Sequence, residues 1–216
     1  MAKLIAIMGE SGSGKTTSLR NLPPEQTFFI DSDMKGLAWK GWRNQYNAQN
    51  KNYLRTADQD LVLKILRHVN EREEYKNITY VVIDTLNGIM VSDEFKRMKD
   101  KGYDKWVDLA TAVWNIIEYA QNMRDEITVI CVCHCQTERD DTGYSFTRIK
   151  TSGRKLEKIS LETKFPVVLY ARAKTDGSFV FETRANNSTA KTPMGAFTSL
   201  EVPNDVMEVL KALEDY

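Results

Sequence analysis

Short apolar runs alternate along the chain with longer stretches of helical spacing. Residues 4–8 (Leu-Ile-Ala-Ile-Met), 27–31 (Thr-Phe-Phe-Ile-Asp), 79–83 and 127–133 are almost continuously apolar, which predicts strands buried on both faces. Between them, residues 58–70 carry Leu61, Val62, Ile65, Leu66 and Val69 at helical intervals. Residues 104–123 repeat the pattern with Leu109, Ala110, Val113, Trp114, Ile117 and Ala120. A helix is expected over 16–21, stopped by Pro23-Pro24, and Trp39, Trp42 and Tyr46 have the spacing of a packed helix. Strands apolar on both faces and separated by helices imply a parallel sheet covered on both sides. From residue 144 the pattern changes. Residues 144–149, 167–173 and 178–183 read as strands joined by the turns Asp140-Asp141-Thr142-Gly143 and Thr175-Asp176-Gly177-Ser178, an antiparallel extension of the same sheet. Pro203-Asn204-Asp205 caps a last helix over 206–213. The expected fold is α/β: one domain over 1–216, with a mainly parallel central sheet and an antiparallel C-terminal extension.

Composition narrows the picture. The 216 residues are 42% hydrophobic, enough for one core, and 30 basic residues balance 30 acidic ones. Any nucleic-acid surface must therefore be a local patch. No apolar run reaches the roughly 20 residues of a membrane helix. Met1-Ala2-Lys3 leads directly into an apolar strand, so no secretory leader and a cytoplasmic location are expected. Cys131, Cys133 and Cys135 alternate within one strand and put three thiols on one face, with His134 on the other. They are expected to be small core residues, neither disulfide-bonded nor a zinc site.

The strand over 4–8 runs into Gly9-Glu10-Ser11-Gly12-Ser13-Gly14-Lys15-Thr16, a full match to G-x-x-x-x-G-K-[ST]. Glycines let backbone N–H groups turn inward around phosphate oxygens, and the following helix presents its positive end. Lys15 would reach the β- and γ-phosphates and Thr16 would supply a hydroxyl to Mg²⁺, with Thr17 completing the loop and Glu10 and Ser11 lining it. Tyr80-Val81-Val82-Ile83-Asp84 is an apolar strand ending in an acid, the form of a Walker B strand, and Asp84 is the second expected Mg²⁺ group. Thr85 follows where many such ATPases place a glutamate base. The ligand expected is ATP with Mg²⁺; no guanine-reading N-K-x-D is present.

The strand Thr27-Phe28-Phe29-Ile30-Asp31-Ser32-Asp33 resembles the one that ends in the water-activating acid of RecA-like recombination ATPases. The resemblance places Asp33 in that role, with aspartate for the usual glutamate and Asp31 as the neighbouring alternative. The strand ending Cys133-His134-Cys135-Gln136 resembles the family's γ-phosphate sensor strand, with His134 favoured over Gln136. The whole pattern, from Lys3 to about Leu213, is similar to the short single-domain RecA-core proteins of bacteriophages, linked to recombination and single-strand annealing. The late stretches Ile149-Lys150-Thr151-Ser152-Gly153-Arg154-Lys155 and Ala190-Lys191-Thr192-Pro193 belong to it. A phage source, and hence the host cytoplasm, is implied by this resemblance alone.

In that family, loops after the Walker B and sensor strands hold single-stranded DNA. Lys101 and Lys105, beside Tyr103 and Trp106, fall in the first such region; Arg148, Lys150, Arg154, Lys155, Lys158 and Lys164 fall in the second. Solvated charge is the ordinary explanation of such runs. The resemblance further implies that Lys191, or else Arg184, reaches a neighbouring subunit's γ-phosphate. It also implies a homo-oligomer, ring or short filament, lacking the N-terminal arm of longer recombinases, and a single-strand-binding protein as a further partner. The expected activity is an Mg²⁺-ATPase, slow or DNA-stimulated, with a nucleotide-switched accessory ATPase bound to a protein partner or a nucleotide kinase as the rival readings.

Overall fold

The computed structural model describes residues 2–97, 104–151 and 160–216; the side chains of 104–110 lie outside that description. A nine-stranded sheet forms the centre. Its strands are β1 (Lys3–Gly9), β2 (Thr27–Asp31), β3 (Tyr53–Arg55), β4 (Tyr80–Asp84), β5 (Thr128–Arg139), β6 (Ser145–Ile149), β7 (Val167–Ala173), β8 (Phe179–Glu182) and β9 (Glu201–Pro203). The order is β3-β2-β4-β5-β1-β7-β8-β9, with β6 paired to the far half of β5. Strands β3 through β7 in that order are all parallel, whereas β6, β8 and β9 are antiparallel. The antiparallel extension is therefore real, but β7, expected within it, pairs parallel to β1 and belongs to the central sheet.

Alternation along each strand builds two cores. Leu4, Ala6 and Met8 of β1 face the helices α2 (Gln59–Glu71), α3 (Leu86–Lys96) and α4 (Asp104–Gln121), where Val62, Leu66, Val113 and Ile117 meet them. Ile5 and Ile7 face the other way, onto Leu19, Leu22, Phe29 and α5 (Val206–Ala212). The three cysteines are free and buried in the first core, as their alternation requires. Helix α2 starts where Asp58 accepts the backbone N–H groups of Asp60 and Leu61, and α5 where Asp205 accepts that of Met207.

Two helical expectations are corrected. The helix over 16–21 shrinks to a 3₁₀ turn, Thr17–Leu19. One α-type bond forms, from Ser18 N–H to Gly14, and then the ladder tightens to three-residue spacing before Pro23 removes the next donor. The aromatic segment gives only α1 (Trp42–Gln45); Trp39 and Tyr46 pack as rings on Phe29, at centroid distances of 6.0 and 4.6 Å. No helix of the described residues is long and apolar enough to cross a membrane.

Parallel register carries the chemistry to one rim. Asp31 lies level with Asp84, Asp84 with Val132, and His134 with Gly9, so the carboxyl ends of β2, β4 and β1 and the middle of β5 meet at the phosphate loop. This rim is where open α/β sheets place their ligands.

Candidate nucleotide site

The loop after β1 turns on Gly12 (φ 78°) and Gly14 (φ 88°), backbone that L side chains rarely adopt. Gly9 is required by space: a Cβ there would stand 2.5 Å from Ser13 Oγ and 2.6 Å from the Ala171 carbonyl. Lys15 is buried, and its ammonium donates to the carbonyls of Gly9 (2.9 Å) and Glu10 (2.6 Å). Burial lowers its pKa, against the pull of Cys135 and Asp84. The cavity beside it, 250 Å³, is lined by Ser11, Gly12, Gly14, Lys15, Thr16 and Thr17 of the loop, with Lys35, Ala38, His134 and Phe179 opposite. A larger cavity of 550 Å³ lies away from this rim, among Pro24, Asn44, Asn52 and Tyr75, and brings together none of the expected site residues.

Thr16 Oγ1 donates to Asp84 Oδ2 at 2.7 Å, joining the two expected metal groups. Asp84 is 1% exposed and its other oxygen, Oδ1, is buried without a hydrogen bond. Burial raises the Asp84 pKa, while Lys35 and the Thr16 hydroxyl pull it back. A buried carboxylate oxygen left unpaired beside a hydroxyl is the oxygen donor set that suits Mg²⁺, so these residues fit the ion.

The two acids of the second strand separate clearly. Asp31 is buried and structural: its Oδ2 accepts Gly36 N–H (2.8 Å) and Tyr53 O–H (2.6 Å). Asp33 does not itself line the cavity but bonds a residue that does: Oδ2 accepts from Lys35 Nζ at 2.7 Å, and Oδ1 accepts from Thr85 Oγ1 at 2.9 Å. Burial opposes its ionisation, but the Lys35 bond and charge and the Thr85 hydroxyl outweigh it and hold the carboxyl below its usual range. His134 Nε2 is 4.0 Å from Asp33 Oδ2, and burial with the nearby Lys15 charge pushes its pKa down. Gln136, its alternative, bonds Glu138 instead and does not line the cavity.

Sequence reasoning missed three residues here. Lys35 bridges Asp33 and Asp84, forming an ion pair at 3.9 Å with the Asp84 Oδ1 that has no hydrogen bond. It arrives there through a turn at Gly36 (φ 82°), which no periodicity reveals. Thr85, noted only for not being glutamate, caps α3 through Gly88 N–H and also holds Asp33; the Asp84–Thr85 peptide is cis. Asn87 accepts from His134 N–H (2.7 Å) and donates to the Lys150 carbonyl (2.8 Å).

The basic residues fare unevenly. Arg148, expected as a DNA contact, is 9% exposed and lies between Glu138 (3.5 Å) and Glu162 (3.7 Å). Lys164 stacks over Trp114 at 3.8 Å. Lys150 is exposed at the end of β6. Lys101, Arg154, Lys155 and Lys158 lie outside the described residues, as does the Lys105 side chain. Lys191 is exposed, its backbone bridges Val168, and it is not among the residues lining the phosphate-loop cavity. Arg184 is exposed, bonded to the Thr198 carbonyl.

No curated protein matches the chain significantly. A family model described as an AAA domain matches residues 1–194. Phosphate loop, acid-ended neighbouring strands and mostly parallel sheet agree with that match, and the chain belongs to the AAA domain family, whose members are P-loop, nucleotide-binding ATPase domains.

Proposed function

We propose that the chain is an Mg²⁺-dependent ATPase of RecA-like type whose nucleotide state sets its grip on single-stranded DNA, in recombination or strand annealing. Lys15 and the loop N–H groups bind the triphosphate, and Thr16 and Asp84 hold the ion, which when bound neutralises charge on the β- and γ-phosphates. Asp33, ionised at neutral pH, orients and deprotonates the attacking water. Lys35 keeps that carboxylate charged and stands close enough to share the load of negative charge in the transition state. Lys191, or else Arg184, acts across a subunit interface in an oligomer.

The DNA half of the proposal is carried by one observation, the bridge through Asn87. Its amide bonds His134 at the phosphate rim and the Lys150 carbonyl at once, and His134 O accepts from Lys150 N–H at 2.8 Å. Lys150 opens the basic segment that continues with Arg154, Lys155 and Lys158. Because these bonds engage the His134 main chain, a main-chain shift there would be passed to the root of that segment. Phosphate contacts from such residues carry little sequence preference and weaken with salt. The test is the affinity for a fluorescent oligothymidylate with Mg²⁺ and a non-hydrolysable ATP analogue, against nucleotide-free protein. A several-fold change that shrinks as salt rises supports the proposal. DNA binding absent in both states removes the DNA half and leaves an ATPase that switches a protein partner.

A further inference from the structure

Two cavities meet at Phe179. The phosphate-loop cavity and a second one, of 380 Å³, share only Thr17 and Phe179. The second is otherwise walled by Arg20, Pro203, Asn204, Asp205 and Glu208. A triphosphate bound in the loop has a direction, because the loop lysine reaches the β- and γ-phosphates. Neither Lys35 nor His134, at the γ end, borders the second cavity. The nucleoside thus leaves the loop past Thr17, toward Phe179.

The wall there is built and incompletely satisfied. Phe179 packs on Gly14, where a Cβ would lie 2.9 Å from its ring, yet the residue is 39% exposed. The same added Cβ would lie 3.0 Å from Asn204 Oδ1. Asn204 is 7% exposed, and both its side-chain nitrogen and oxygen are buried without a hydrogen-bond partner. Native structures seldom leave a buried carboxamide with neither end paired. The floor is held in place by Arg20, which donates to the carbonyls of Thr17 (3.0 Å) and Asn204 (3.1 Å) and so ties the loop to the start of α5.

We propose that this second cavity is the base subsite, taking a planar purine stacked on Phe179 with its polar edge turned to the Asn204 carboxamide. A purine edge offers adjacent donor and acceptor atoms, the complement of an asparagine side chain. An aromatic ring open on one face offers the stacking surface. The inference rests on the phosphate-loop reading, and its test keeps the two apart.

ATP and inorganic tripolyphosphate are titrated calorimetrically, each with Mg²⁺, into the full chain and into Phe179→Ala and Asn204→Leu. Stacking on an aromatic is worth about 1–3 kcal/mol per base, so at about 1.4 kcal/mol per tenfold Phe179→Ala weakens ATP roughly 5- to 140-fold. Asn204→Leu weakens ATP in the same direction. Tripolyphosphate, which has no base, loses far less affinity than ATP in both variants, and thermal unfolding reports that they are folded. Equal affinity of the wild type for ATP and tripolyphosphate overturns the subsite. So does an ATP preference that survives both substitutions, or a parallel loss of both ligands. A wild-type chain that binds neither ligand overturns the phosphate-loop reading itself.

Discussion

Gly14 joins the local and the functional constraints in one atom. Its φ of 88° and the crowding of Phe179 and Asn204 on its α-carbon both exclude a side chain. Gly14→Ala is expected to cost about 1–2 kcal/mol for the left-handed backbone alone, with the clash added, measured by denaturant unfolding. Asp33→Asn removes the proposed base and leaves the phosphate loop intact. Hydrolysis should fall by about 10²–10⁴ while ATP affinity holds within a few fold; an unchanged rate would move the role elsewhere. The histidine sign is also testable. Burial and Lys15 disfavour the His134 imidazolium, so folding binds this proton less well than the unfolded chain does. Its imidazole should titrate below the ordinary value of about 6.5 by NMR. Stability from the neutral ring is full above that ordinary value and is lost as pH falls from there through the lower pKa of the folded state. At this scale the phosphate loop and Asp84 were legible because their chemistry demands residue types at fixed spacing. Lys35 and Asn87 were not, because ordinary polar residues acquire their roles from a turn and a helix start that bring distant strands together.

Elements formed where the apolar pattern had two clear faces. Phe29 is fully buried and central to the ring cluster with Trp39 and Tyr46, so Phe29→Ala should cost about 3–5 kcal/mol. Denaturant melts check this directly. The central strands read well from sequence because being covered on both sides demands continuous apolar runs. The three-residue strands β3 and β9 carry no such signal, since pairing with β2 and β8 alone defines them. Strand β5 ran on to Arg139, past the apolar segment, because its far half pairs only with β6 and needs no buried faces. The short turn after the phosphate loop is the reverse case: Thr16, Thr17, Ser18 and Asn21 are weak helix formers and Pro23-Pro24 ends the segment, so the expected helix stays a single tight turn.

For the molecule as a whole, the parallel register decides what the protein can do. It gathers the phosphate loop, Asp33, Asp84 and His134 on one rim, and Asn87 ties the Lys150 carbonyl to that rim. Asn87→Ala should therefore shrink the difference in single-stranded DNA affinity between ATP-analogue-bound and free protein more than it weakens the analogue itself, as paired titrations would show. Zero net charge hid any DNA surface from composition, and Arg148 showed why counting basic residues misleads: two glutamates claim it. The family match speaks for nucleotide binding, which is also the claim on which the DNA coupling and the base subsite depend. Steady-state Mg²⁺-ATP hydrolysis by wild type and Lys15→Ala, with and without single-stranded DNA, tests it most directly. Wild-type turnover should be measurable, rise with DNA and disappear in Lys15→Ala. Turnover that survives loss of the Lys15 ammonium would contradict it.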